Sequence, residues 1–111
     1  MAWTVLFHPD FVPEHAALPP TVAAALANAI EALEVRGHQL GRPLADRLNG
    51  SVHANMKELR VAGSWRFAFA FDPERQAVVL VGGDKAGVKS RRFYGELIAI
   101  ADARFTAWME E

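Results

Sequence analysis

The stretch MKELRVAGSWRFAFAF, residues 56–71, constrains the fold more than any other part of the chain, because its apolar residues alternate on both sides of a Gly-Ser pair. Apolar positions on a helix recur every three or four residues, so a period of two excludes a helix here. It predicts two antiparallel strands, Met56 to Ala62 and Trp65 to Phe71, joined around Gly63 and Ser64. In the second strand Trp65, Phe67, Phe69 and Phe71 point one way as a core face, and Arg66, Ala68 and Ala70 point the other. That second face reads as a shallow floor on which a ligand can lie, or as a solvated face with small residues.

The turn decides which residues of the first strand join Arg66, since a slip of one residue exchanges the two faces. A two-residue turn at Gly63-Ser64 would set Lys57, Leu59 and Val61 beside Arg66 and drive Glu58 and Arg60 into the aromatic core. Unpaired charge there is costly. A longer or bulged connection spanning Val61 to Trp65 pairs Arg60 with Arg66 and Glu58 with Ala68, and turns Leu59 and Val61 inward. The second register is predicted. It gathers one carboxylate and two guanidiniums: arginine forks match phosphate oxygens, and a carboxylate near them can take the proton of a hydroxyl nucleophile. The plainer alternative is an exposed Glu58–Arg66 ion pair with Arg60 as a solubilising residue.

The remaining patterning completes an α+β domain. TVLF at 4–7 is a short strand stopped by His8-Pro9, and PDFVPEHAAL holds one or two helical turns. A longer helix follows, with Pro20 at its first position, Val22, Leu26, Ile30 and Leu33 at helical spacing, Arg36 in the last turn and Gly37 to cap it. HQLGRPLADRLNGSVH reads as a loop with at most a short helix. DPER at 72–75 is a turn into a third strand, AVVLVGG, apolar enough for the interior of a sheet. Ser90 is placed to cap a terminal helix whose Tyr94, Leu97, Ala101, Phe105 and Trp108 form one stripe. The order is an N-terminal strand, one or two helices, a three-stranded antiparallel meander and a C-terminal helix, in one domain over residues 1–111.

Composition narrows the function classes. The chain has no cysteine, which removes disulfides, thiolate metal sites and cysteine nucleophiles and fits a reducing cytoplasm. The N-terminal residues carry no basic leader, and no apolar run reaches the length of a membrane span, so a cytoplasmic protein is predicted. A net charge of −1 argues against a generic nucleic-acid binder, but the charge is uneven. Residues 55–95 hold eight Lys or Arg against four acids, a net of +4, whereas residues 1–54 have three against five and residues 96–111 one against four. A local anion-binding surface is therefore allowed, with Lys57, Lys89 and Arg92 among its candidate members.

Other motifs are weaker. GGDKAG at 82–87 offers a glycine pair that lets backbone approach a phosphate, with Lys85 as the charge, or simply a turn; it lacks the spacing of a Walker loop. Tyr94 either belongs to the core stripe or stacks on a base. His8, His15, His38 and His53 lack metal-ligand spacing, so no metal or other cofactor is assigned. No nucleophile elbow supports a serine hydrolase.

MKELRVAGSWRFAFAFDPERQAVVLVGGDKAG together with FYGELIAIAD resembles the RelE/HigB superfamily of bacterial type II toxins, in particular its phage-derived HigB-like branch. The resemblance implies an endoribonuclease that cuts messenger RNA on the ribosome and is silenced by an antitoxin, expected to be a helix-turn-helix protein. It implies roles for Arg66 and Lys85 as catalytic cations, for Tyr94, or its neighbour Phe93, as the aromatic before the terminal helix, and for Arg60 as a phosphate-binding residue. Two lysines of RelE itself fall here on Met56 and Glu58, which leaves Glu58 as the candidate base. Gyrase poisons of the ParE type share the fold, so a binding toxin remains an alternative, as does a non-catalytic phage-derived module.

Overall fold

In the computed structural model, which describes residues 2–111, the chain runs β1 (Thr4–Phe7), α1 (Phe11–Ala16), α2 (Pro20–Arg36), a 3-10 turn (Gly37–Gln39), β2 (Ala45–Arg47), β3 (Met56–Val61), β4 (Trp65–Phe71), β5 (Gln76–Asp84) and α3 (Ser90–Glu110). The strands form one sheet in the order β1-β5-β4-β3-β2. β1 runs parallel to β5, and every other pair is antiparallel. This is the α+β class and element order that the patterning predicts, with one addition. β2 is only three residues long, too short to show a period, and takes its strand conformation from pairing Asp46 with Glu58 and Arg47 with Lys57.

Helices cover both faces of the sheet. On one, α1 and α2 press Phe11, Leu26 and Leu33 against Leu59, Phe67, Phe69 and Val79. On the other, α3 presses Phe93, Leu97, Ala101 and Phe105 against Met56, Ala68, Ala70, Val78 and Leu80. β4 thus sends rings to one layer and methyl groups to the other, and Phe67, Ala68, Phe69 and Ala70 are all fully buried. Ala68 and Ala70 are therefore not the open floor expected from the strand pattern: small side chains let α3 lie close to the sheet, and its apolar stripe takes the space. Among the described residues no helix is long and apolar enough to cross a membrane.

Local signals behave mostly as expected. Pro20 occupies the first turn of α2 and Gly37 its C-cap, at φ 56°. Gly37 is required there twice over, since a Cβ would also sit 2.1 Å from the Trp3 indole. Ser90 does not cap α3: Lys89 is the N-cap residue, and no side chain bonds the free N–H groups. The glycine pair of β5 is closely packed against aromatic rings. A Cβ on Gly82 would lie 2.3 Å from the Phe67 ring, and one on Gly83 3.2 Å from Phe93.

Candidate active site

β3 and β4 connect through Ala62, Gly63 and Ser64, with Ala62 and Gly63 both at positive φ. Arg60 consequently pairs with Arg66 and Glu58 with Ala68, which is the predicted register. Glu58, Arg60 and Arg66 thereby share the face that α3 covers.

Glu58 is only 2% exposed. Its Oε2 accepts a hydrogen bond from Arg60 Nε at 3.1 Å, and its Oε1 accepts one from the Tyr94 hydroxyl at 2.8 Å. Arg66 Nε lies 4.0 Å from Oε1. A carboxylate taken out of water needs such compensation, and here two cations and a hydroxyl supply it. Arg66 is tied to the turn through Nη1, which donates to the carbonyls of Gly63 (2.9 Å) and Trp65 (3.0 Å), while its buried Nε has no hydrogen-bond partner. Hydrogen bonding and charge from Glu58 hold the Arg60 guanidinium above its ordinary pKa. Arg60 also reaches Asp46 at 3.5 Å. Asp46 is a member of the cluster that sequence reading missed, because nothing in a three-residue strand marks its orientation.

Tyr94 is half-buried at the start of the α3 stripe, so both of its sequence readings hold in part: the ring packs, and the hydroxyl is bound to the charged cluster. Burial, and then the Glu58 hydrogen bond, push its pKa above the ordinary tyrosine value, while Arg66 pulls the other way. The folded state therefore holds this proton more tightly than the unfolded chain. That contribution to stability is complete below about pH 10 and is lost as pH rises through the folded value. The chain has one tyrosine, so its ultraviolet tyrosinate absorbance reports this group alone. Glu58→Gln is expected to lower the titration midpoint and Arg66→Ala to raise it; shifts in the opposite directions would refute the assignment of these neighbours.

Two openings reach the cluster. A cavity of about 280 Å³ is lined by Asp46, Arg47, Glu58, Arg60 and Tyr94, and another of about 310 Å³ by Arg66, Lys85, Ser64 and Ser90. Lys85 Nζ stands 5.8 Å from the centre of the Tyr94 ring. Lys89, the N-cap of α3, and Arg92 in its first turn are both exposed, and Arg92 Nε is 3.6 Å from Glu96.

Two candidates do not join the site. Lys57 alternates to the opposite face of β3, where its amine donates to the carbonyls of His38 (3.3 Å) and Leu40 (3.1 Å). Phe93 is 8% exposed and packed over Gly83 with its ring edge-on to Tyr94, so it is core and cannot stack on a base. Among the described residues no three His, Asp or Glu converge as a metal site requires. What converges instead is a shielded carboxylate, a neutral hydroxyl bonded to it, and three cations beside two openings, a set that can bind an anionic group and move a proton.

Residues 14–106 match the family model described as phage derived protein Gp49-like. HigB3 of Mycobacterium tuberculosis, a toxin by name, is 51% identical over 94 residues, covering 84% of this chain and 82% of its own. HigB2 of the same organism, also a toxin by name, is 49% identical over 81 residues, which span 69% of this chain and 40% of that protein. Among solved structures, a mutant of Escherichia coli toxin RelE in the free state superposes with a TM-score of 0.68 at 17% identity, covering 94% of this chain and 98% of that one. The RelE–RelB complex of Pyrococcus horikoshii gives 0.62 at 16% identity, covering 79% and 100%. The toxin–antitoxin complex RelBE2 of Mycobacterium tuberculosis gives 0.58 at 22% identity, covering 76% and 99%.

Proposed function

Since this chain belongs to the Gp49-like family of RelE/HigB toxins of type II toxin–antitoxin systems, we propose that it acts as a messenger-RNA endoribonuclease on the ribosome. The convergence of Glu58, Arg60, Arg66 and Tyr94 on one side of the sheet carries this reading. In the proposed reaction an RNA 2′-hydroxyl attacks the adjacent phosphorus. Its proton passes to Tyr94 Oη as the tyrosine gives its own to Glu58 Oε1, so the carboxylate takes up the proton without direct contact with RNA. Arg66 and Arg60 stabilise the charge growing on the phosphoryl oxygens. Lys85 gives a proton to the departing 5′-oxygen. The products are a 2′,3′-cyclic phosphate and a 5′-hydroxyl. The Tyr94 ring, which lines the opening beside Glu58 and Arg60, orients a base, and Lys89 and Arg92 hold the flanking backbone.

A cognate antitoxin is the expected protein partner, and a helix-turn-helix protein in the cytoplasm is the form we propose. Expression in a bacterium without that antitoxin tests the activity. New messenger ends carrying cyclic phosphate, mapped while the DNA-damage response stays silent, are the expected outcome. Intact messengers with a DNA-damage response would instead identify a gyrase poison, and unimpaired growth would identify a non-catalytic module.

A further inference from the structure

On the face of β3 opposite Glu58 lies a cavity of about 450 Å³ lined by Trp3, His38, Phe71, Lys57, Arg75 and Arg47. The geometry points to a nucleotide-binding site there. We take the nucleotide to be one that flanks the scissile phosphate of RNA, an identification that rests on the nuclease reading above.

Its walls are aromatic and fixed. Trp3 meets His38 edge-on at 5.1 Å and Phe71 at 5.2 Å, and its indole is pressed on Gly37, where no Cβ fits. The Arg75 guanidinium stands 4.6 Å over the Trp3 ring. Arg75 adopts φ 63°, a conformation that favours glycine or asparagine, so this turn accepts backbone strain while presenting a long cation. A guanidinium held over an indole offers a surface of the kind on which nucleobases stack.

Its charge is uncompensated. Arg47, Lys57 and Arg75 form no ion pair among the described residues. The only acid in the lining, Asp72, is engaged elsewhere: Oδ1 accepts from the Glu74 and Gln76 amides, and Oδ2 from Gln76 Nε2 and Trp108 Nε1. Burial, with Arg47 nearby, also lowers the Lys57 pKa, a cost that a bound anion would relieve. An aromatic surface beside three cations without a carboxylate partner among the described residues suits a base with its phosphate, and the volume lies in the usual range for small-ligand pockets. Arg47 lines both this cavity and the one that opens on Glu58 and Arg60, so a strand of RNA leaving the site has a path around the β2 edge.

The test is titration of the full chain with the four nucleoside 5′-monophosphates, and with inorganic phosphate, by calorimetry and by the indole N–H signals of the three tryptophans. Saturable binding of at least one nucleotide is expected. It should move the Trp3 signal, weaken by 10-fold or more in Arg75→Ala and persist in Arg66→Ala. The same Arg75→Ala change should raise KM for RNA with little effect on kcat, whereas Arg66→Ala lowers kcat. The proposal is overturned if no nucleotide binds saturably, if phosphate alone binds equally well, or if Arg66→Ala abolishes nucleotide binding. It is equally overturned if Arg75→Ala spares nucleotide binding but disrupts the antitoxin complex, which would make the cavity a protein-docking site. Nucleotide binding in a protein that cuts no RNA would sink the nuclease reading and leave the site standing.

Discussion

Arg66→Ala is expected to give a folded protein whose RNA cleavage is slower by on the order of 100- to 1,000-fold, the usual cost of removing one donor that serves the transition state. The fold should survive. Arg66 contributes two hydrogen bonds to the carbonyls of Gly63 and Trp65, and Gly63 sits in an exposed turn where water can replace the donor. Glu58 keeps its bonds to Arg60 and Tyr94 when Arg66 is lost, so no bare charge is left in the interior. The measurement is the single-turnover rate on messenger RNA in a translating extract, alongside circular dichroism of the variant. Arg66→Lys should recover only part of the rate, because an ammonium keeps the charge but not the planar fork. A rate within a few-fold of the parent in Arg66→Ala would remove Arg66 from the chemistry.

A large effect on stability is expected from an inconspicuous substitution, Gly82→Ala. One methyl group would sit 2.3 Å from the ring of Phe67, which is fully buried between β4 and the α1/α2 layer. Neither the strand nor the ring has room to retreat, so the overpacking should cost about 1–3 kcal/mol. For a chain of this size that corresponds to a fall in Tm of roughly 3–15 °C. Phe67→Leu shortens the side chain and should partly relieve the clash. The double variant is therefore expected to lose less than the two single losses combined. Strict additivity in thermal melts would show that Gly82 is not a packing residue.

These two positions show how far the chain could be read without coordinates. The side of the sheet on which Arg66 lies follows from alternation, because the pleat assigns every second side chain to one face and the cost of burying Glu58 and Arg60 unpaired among aromatic rings selects one register; its catalytic role is implied only by the family resemblance. For Gly82 the sequence left a phosphate approach and a simple turn both open, and neither shows the close packing, since the ring that requires glycine comes from another strand. Phe93 and Tyr94 are adjacent and both aromatic, yet one is core and the other bonds Glu58; helical periodicity leaves residues at the edge of a stripe undecided.

What the sequence by itself determined is therefore local and directional: element types and order, the hairpin register, and the shared side of Glu58, Arg60 and Arg66. Only the tertiary structure decided what meets each face. It laid α3 over the two alanines, brought the Tyr94 hydroxyl across 36 positions of sequence to shield Glu58, and surrounded Lys57 with Trp3 and Arg75 instead of Arg60 and Arg66. The physical reason is one of range. Backbone pleating and charge burial act within a hairpin, whereas the partner on each face is chosen by packing among segments far apart in the chain, which no short pattern records.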